Sequence, residues 1–166
     1  MRALPEESQW GLLAAAGLAE QIHAFWIEGD DRAAIAAGLR IDQARTVECG
    51  LATALRWNGA GSRTPILWTG RHAPGWTFAL VLNFSLCALA PLDRRVLEFC
   101  YVRGINEFYG VPGIYGEDGL DDLWLNDDQG DESDLDPHLV AIGRITGRFV
   151  DRAWLAERRT LCRVAA

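Results

Sequence analysis

The stretch from Thr64 to Ala90, TPILWTGRHAPGWTFALVLNFSLCALA, limits this chain more than any other. Two apolar runs flank a Gly/Pro-containing segment, with Trp68 on one side and Trp76 on the other. Apolar runs of four to eight residues bounded by turn residues read as strands. Pro65–Thr69 and Trp76–Leu82 are therefore expected to be strands, and Gly70–Gly75 the turn between them. The second run does not alternate, as expected for a strand covered on both faces. The turn would carry Arg71 and His72 at an exposed tip.

Upstream, the pattern changes to helical spacing. Residues 5–28 are expected to form a helix, opened by Pro5, Glu6 and Glu7 and ended at Gly29. Asp30 or Asp31 caps a short helix over Arg32–Gly38. A third helix is expected over Gln43–Trp57, after Asp42. The flexible run Asn58–Ser62 is the internal boundary. Downstream, Arg95–Val102 reads as a strand, Ile105–Tyr109 as its return and Leu120–Leu125 as a last strand of the meander. Phe84–Leu92 is ambiguous between strand and helix. Pro137 opens a helix to Gly147 with Asp136 as cap, Asp151–Glu157 is a further helix, and Thr160–Val164 a final strand.

The expected fold is α+β in one domain over residues 1–166. N-terminal helices (1–58) precede a central, mainly antiparallel sheet of about five strands (64–125), then C-terminal helices with a possible strand (137–166).

Composition excludes several functions. A net charge of −7 argues against a nucleic-acid binder, which needs a basic face. The basic residues are all arginine, so lysine-dependent chemistry, from a P-loop to a Schiff base, is ruled out. The N-terminal residues show no signal-peptide pattern, and the apolar run Trp76–Ala90 is too short and polar to span a bilayer. A cytoplasmic protein is expected, with Cys49, Cys87, Cys100 and Cys162 as reduced, buried thiols.

No stretch carries a catalytic signature. Asn126–Glu132 imitates a calcium loop, but a glycine at the sixth position places Leu125 where the first acidic ligand belongs. His23, His72 and His138 are too dispersed for a sequence-level metal site, and His23 reads as a helical residue beside the core. Cys100 lies mid-strand with no base adjacent in sequence. Neither cofactor nor metal is expected. His72, Glu98 and Glu107 are the acid/base candidates. Trp68, Arg71, His72, Trp76, Tyr101, Tyr109 and Tyr115 are the binding candidates, since tryptophan and tyrosine anchor interfaces and line pockets.

Part of the chain, about residues 45–164, resembles a family of uncharacterised actinobacterial domains of unknown function. The likeness rests on Gly75-Trp76-Thr77-Phe78-Ala79-Leu80, on the paired strands Arg95–Tyr109 with the turn Gly116–Gly119, and on Ile145-Thr146-Gly147 followed by Trp154-Leu155. It departs from the family at Asn83, where an acid is usual. The resemblance implies an α+β fold and assigns no function; such domains are similar in size to small bacterial immunity or partner-binding proteins.

Two functions follow. One is a non-catalytic protein-interaction domain, immunity-like, whose acidity steers it to a basic partner protein. The other is a small cofactor-independent enzyme or ligand-binding protein of specialised metabolism, holding a small apolar molecule in an aromatic-lined pocket. They differ in whether the aromatics enclose a pocket or form a packed core.

Overall fold

A computed structural model describes residues 3–57, 64–83, 93–103, 107–109 and 135–165, with only the backbone described for 107–109. The expectations for Phe84–Leu92, Cys87, Tyr115, Leu120–Leu125 and the acidic run from Asn126 lie outside these residues.

The fold is α+β. In chain order the elements are α1 (Gln9–Leu13), β1 (Gln21–Glu28), α2 (Arg32–Gly38), β2 (Val47–Cys49), α3 (Leu51–Arg56), β3 (Ile66–Ala73), β4 (Trp76–Val81), β5 (Val96–Val102), β6 (Glu107–Tyr109), α4 (Leu135–Thr146), α5 (Arg152–Ala156) and β7 (Arg159–Arg163). The seven strands form one sheet in the order β2-β7-β3-β4-β1-β5-β6. Every pairing is antiparallel. Among the described residues no helix is long and apolar enough to cross a membrane.

The helix expected over 5–28 is corrected. Only α1 and a wide helical turn over Ala14–Leu18 are helical, and Gly17 at φ 113° breaks that turn. Residues 21–28 form β1, inside the sheet between β4 and β5. Its six interior residues, Ile22–Ile27, are all buried. Cover on both faces removes the alternation that marks a half-exposed strand, and Ile22, Phe25 and Trp26 also fit a helical period. The N-terminal part thus supplies a central strand as well as helices.

The helix expected over 43–57 is also divided. Val47–Cys49 forms edge strand β2 against β7, and Gly50, in an extended conformation, starts α3. The supposed turn Gly70–Gly75 is mostly strand: Thr69, Gly70 and Arg71 pair with Ala79, Phe78 and Thr77. Pro74 and Gly75 alone make the turn, with Gly75 at φ 80°, where a residue with a Cβ would be strained. Asp30 accepts the Gly75 N–H at 2.9 Å and ties this hairpin to the end of β1. Asp136 lies in the first turn of α4, where its carboxylate accepts the Trp10 N–H at 2.9 Å. Asp31 and Asp151 do cap α2 and α5, each accepting an N–H three residues on.

Side-chain alternation gives the sheet two unlike faces. One carries Trp26, Trp68, Phe78 and Phe99 under α1, α3, α4 and α5, and holds the larger core. Fully burying apolar side chains of this size contributes on the order of 1.5–3 kcal/mol each. The other face carries Phe25, Ile27, Leu67 and Ala79, covered by Ile35 and Leu39 of α2. Among the described residues, that single short helix leaves part of the second face uncovered towards β7 and β2.

Candidate functional site

The alternation along β3 sends Arg71 and His72 to opposite faces. Arg71 is exposed on the α2 side, whereas His72 is 1% exposed within the larger core. The expectation of an exposed imidazole is corrected here. The Trp154 indole N–H donates to His72 Nδ1 at 2.9 Å. An indole nitrogen only donates, so Nδ1 must accept and the ring proton must sit on Nε2. From Nε2 it reaches Thr146 Oγ1 at 2.9 Å and the Arg148 carbonyl at 3.1 Å. The Thr146 hydroxyl passes its own hydrogen to the Ile142 carbonyl at 2.9 Å. Burial is the largest cause pulling the imidazole down to about 4; the Arg148 carbonyl opposes this, and the charges of Arg148 and Arg159 add to it. His72 is a neutral structural hub joining β3 to α4 and α5.

The same core encloses a cation. Arg159 is 2% exposed, with its guanidinium carbon 4.1 Å from the Trp154 ring centroid and 4.7 Å from that of Trp68. It donates to the Trp154 carbonyl at 3.1 Å and to Glu157 Oε2 at 3.0 Å. Burial pulls this guanidinium down to about 10, opposed by Glu157 and reinforced by Arg148. It stays charged at neutral pH. Gly70 makes room for it: a Cβ there would come within 2.9 Å of Arg159 Cγ. Arg148 bonds Glu157 and donates to the His72 carbonyl at 2.8 Å, which links the cation to the imidazole hub.

Glu98 does not join His72. It lies half-buried on the opposite face, 2.8 Å from His23 Nε2. His23 is a strand residue of β1, paired in register with Cys100, not a helical one. Cys100 is half-buried rather than buried, and burial followed by the Glu98 charge raises it to about 11, so it rests as a thiol. Glu107 and Tyr109 lie in β6, and Tyr115 lies outside the described residues. Trp68, Trp76 and Tyr101 are 0%, 8% and 5% exposed. All three belong to the larger core, and none of them lines the cleft described below. Among the described residues no three His, Cys, Asp or Glu side chains cluster as metal ligands.

A different concavity lies on the α2 face. A cleft of about 460 Å³ separates α2 and the segment after it from β3, β4, β7 and β2. Three hydroxyls form its floor: Thr77 on β4, Thr69 on β3 and Thr160 on β7, with Glu48 of β2 at the far end. Thr69 and Thr160 are paired in register, as are Thr160 and Glu48. Ile35, Ala36 and Ile41 make an apolar wall, and Arg32 lies at the mouth. The floor threonines carry no motif. Thr77 alone has a sequence signal, a hydroxyl inside an otherwise apolar strand, Trp76-Thr77-Phe78-Ala79. Placing the wall and Glu48 opposite that floor required the sheet order.

No family model matches the chain, and searches of curated proteins and of solved structures find no match either.

Proposed function

We propose that this protein is a non-catalytic binding protein that holds a small molecule in the cleft between α2 and the threonine floor. The cleft itself carries this reading: about 460 Å³ of space with an apolar wall and a few convergent polar groups. Pockets of roughly 300–1,000 Å³ with that make-up commonly hold small ligands. The hydrogen bonds that saturate both ring nitrogens of His72 support a structural role for this acid/base candidate. The described thiols Cys49, Cys100 and Cys162 are free, which supports a reducing, cytoplasmic setting.

The test is a fragment screen by ligand-observed NMR on the full chain and on Ala36→Phe, which fills the cleft from its wall. Fragments should bind the native protein and lose their signal on the filled variant, with circular dichroism unchanged. If every fragment signal survives the substitution, the cleft is not the binding site.

A second reading, an immunity-like interaction with a basic partner protein, draws on another place. Val47 on β2 and Trp57 at the end of α3 are 59% and 56% exposed, on a chain of net charge −7. Exposed apolar side chains on an acidic chain suit a steered protein contact. A partner recovered from the native host by the wild-type chain, and lost with Val47→Asp or Trp57→Ser, would favour this reading over the first.

A further inference from the structure

The three floor hydroxyls have already spent their hydrogens. Thr69 donates to the Phe78 carbonyl at 2.7 Å, Thr77 to the Gly29 carbonyl at 3.0 Å, and Thr160 to Glu48 Oε1. A hydroxyl has one hydrogen and two lone pairs, so what these groups offer a ligand is acceptor capacity. Glu48, a carboxylate, also only accepts. The floor therefore asks for N–H or O–H donors, and a cation is best met at the Glu48 end.

The opposite end has the opposite character. Arg32 lines the mouth there, three residues beyond Gly29, which holds the Thr77 hydroxyl. Arg71 pairs in register with Thr77, so its side chain leaves the same face. Both arginines are exposed, and among the described residues neither has a carboxylate partner. Arg158 is different, because its guanidinium already donates to the Glu48 carbonyl at 2.5 Å. Planar guanidinium groups without partners fit a carboxylate bidentately.

The strand order sets the spacing. Glu48 is on β2 and Arg71 on β3, with β7 between them. Glu48 lies in register, through Thr160, with Thr69, so two inter-strand steps and two residues along β3 put these positions roughly 12 Å apart at the backbone. Between the ends lies the apolar wall of Ile35, Ala36 and Ile41.

We infer that the cleft binds an elongated zwitterion, with an ammonium group on Glu48 and the threonine oxygens, an apolar middle against α2, and a carboxylate on Arg32 and Arg71. This inference rests on the cleft being the binding site. An α-amino acid, whose charges share one carbon, is too short to meet both ends. An ω-amino acid or a dipeptide has the right span.

The experiment is calorimetric titration of the full chain with 6-aminohexanoate and, separately, dialanine, which distinguishes an amino-acid from a peptide source. Hexanoate, hexylamine and glycine are the comparison probes. At least one of the two long zwitterions should bind saturably, and each comparison probe at least tenfold more weakly. Glu48→Gln and the double variant Arg32→Gln/Arg71→Gln should each weaken binding at least tenfold; all three positions are exposed, so the fold should persist. Equal binding of hexanoate or hexylamine, or unchanged affinity in those variants, would overturn the inference. If fragments are lost on Ala36→Phe but neither zwitterion binds, the ligand class is wrong and the cleft stands. If no fragment is lost, the cleft reading fails as well.

Discussion

Acidification from pH 7 to about 4 is expected to remove about 3 kcal/mol of stability through His72 alone. In the folded protein this imidazole is lowered from 6.5 to about 4. Below 6.5 the unfolded chain takes up a proton that the folded chain refuses, so the native state loses ground as pH falls. The contribution is fully present above 6.5 and disappears as pH falls through that window. The geometry supplies the cause. A proton on Nδ1 would face the indole N–H of Trp154, which has no lone pair to offer. Urea midpoints at pH 7, 5.5 and 4 should therefore fall more steeply for the wild type than for His72→Gln, by about 3 kcal/mol over the range. A ring titration by NMR gives an independent check on the native chain. One of the three histidine rings should stay neutral until well below pH 5.5; three ordinary titrations near 6.5 would refute the account.

Glu157→Ala should cost about 3 kcal/mol, the low end for breaking a buried ion pair by removing one partner. The low end applies because the Glu157 side chain is 37% exposed and partly hydrated, whereas that of Arg159 is 1% exposed. Removing the carboxylate leaves a guanidinium in the core with three aromatic rings and one carbonyl. It also releases Arg148 from the group that steers it onto the His72 carbonyl. Arg159→Met should cost less than Glu157→Ala, because it removes the charge while keeping much of the buried length. Chemical denaturation of the two variants checks the order. A loss below 1 kcal/mol for Glu157→Ala, or the reverse order, would show that the carboxylate does not hold the cation in place.

Local signals in the sequence located several elements well. Asp31 and Asp151 mark the starts of α2 and α5 because a cap is a contact within one turn. Val96–Val102 alternates between buried and half-buried residues, so its period was visible. β1 was hidden because two-sided cover erases that period, and β2 because three residues carry too little pattern. The site was less legible still. His72 sits one residue from Arg71 and two from Pro74, a context that reads as turn, yet its ring meets Trp154 from 82 residues away. The cleft joins Arg32, Glu48, Thr69, Thr77 and Thr160 from five separate elements, and no spacing along the chain encodes that meeting.

The sheet order has a consequence for how the chain assembles. β7, the last of the strands in sequence, lies between β2 and β3, and it is the only partner of β2 among the described strands. A chain emerging from the ribosome can close the β3–β4 hairpin and add β1 and β5 long before β7 is available. Until then β3 has an open edge, β2 has nothing to pair with, and the cleft lacks Thr160. Such long-range closure slows folding. Protection of β2 amides and the ability to hold a ligand should therefore arise together, at the final step of folding.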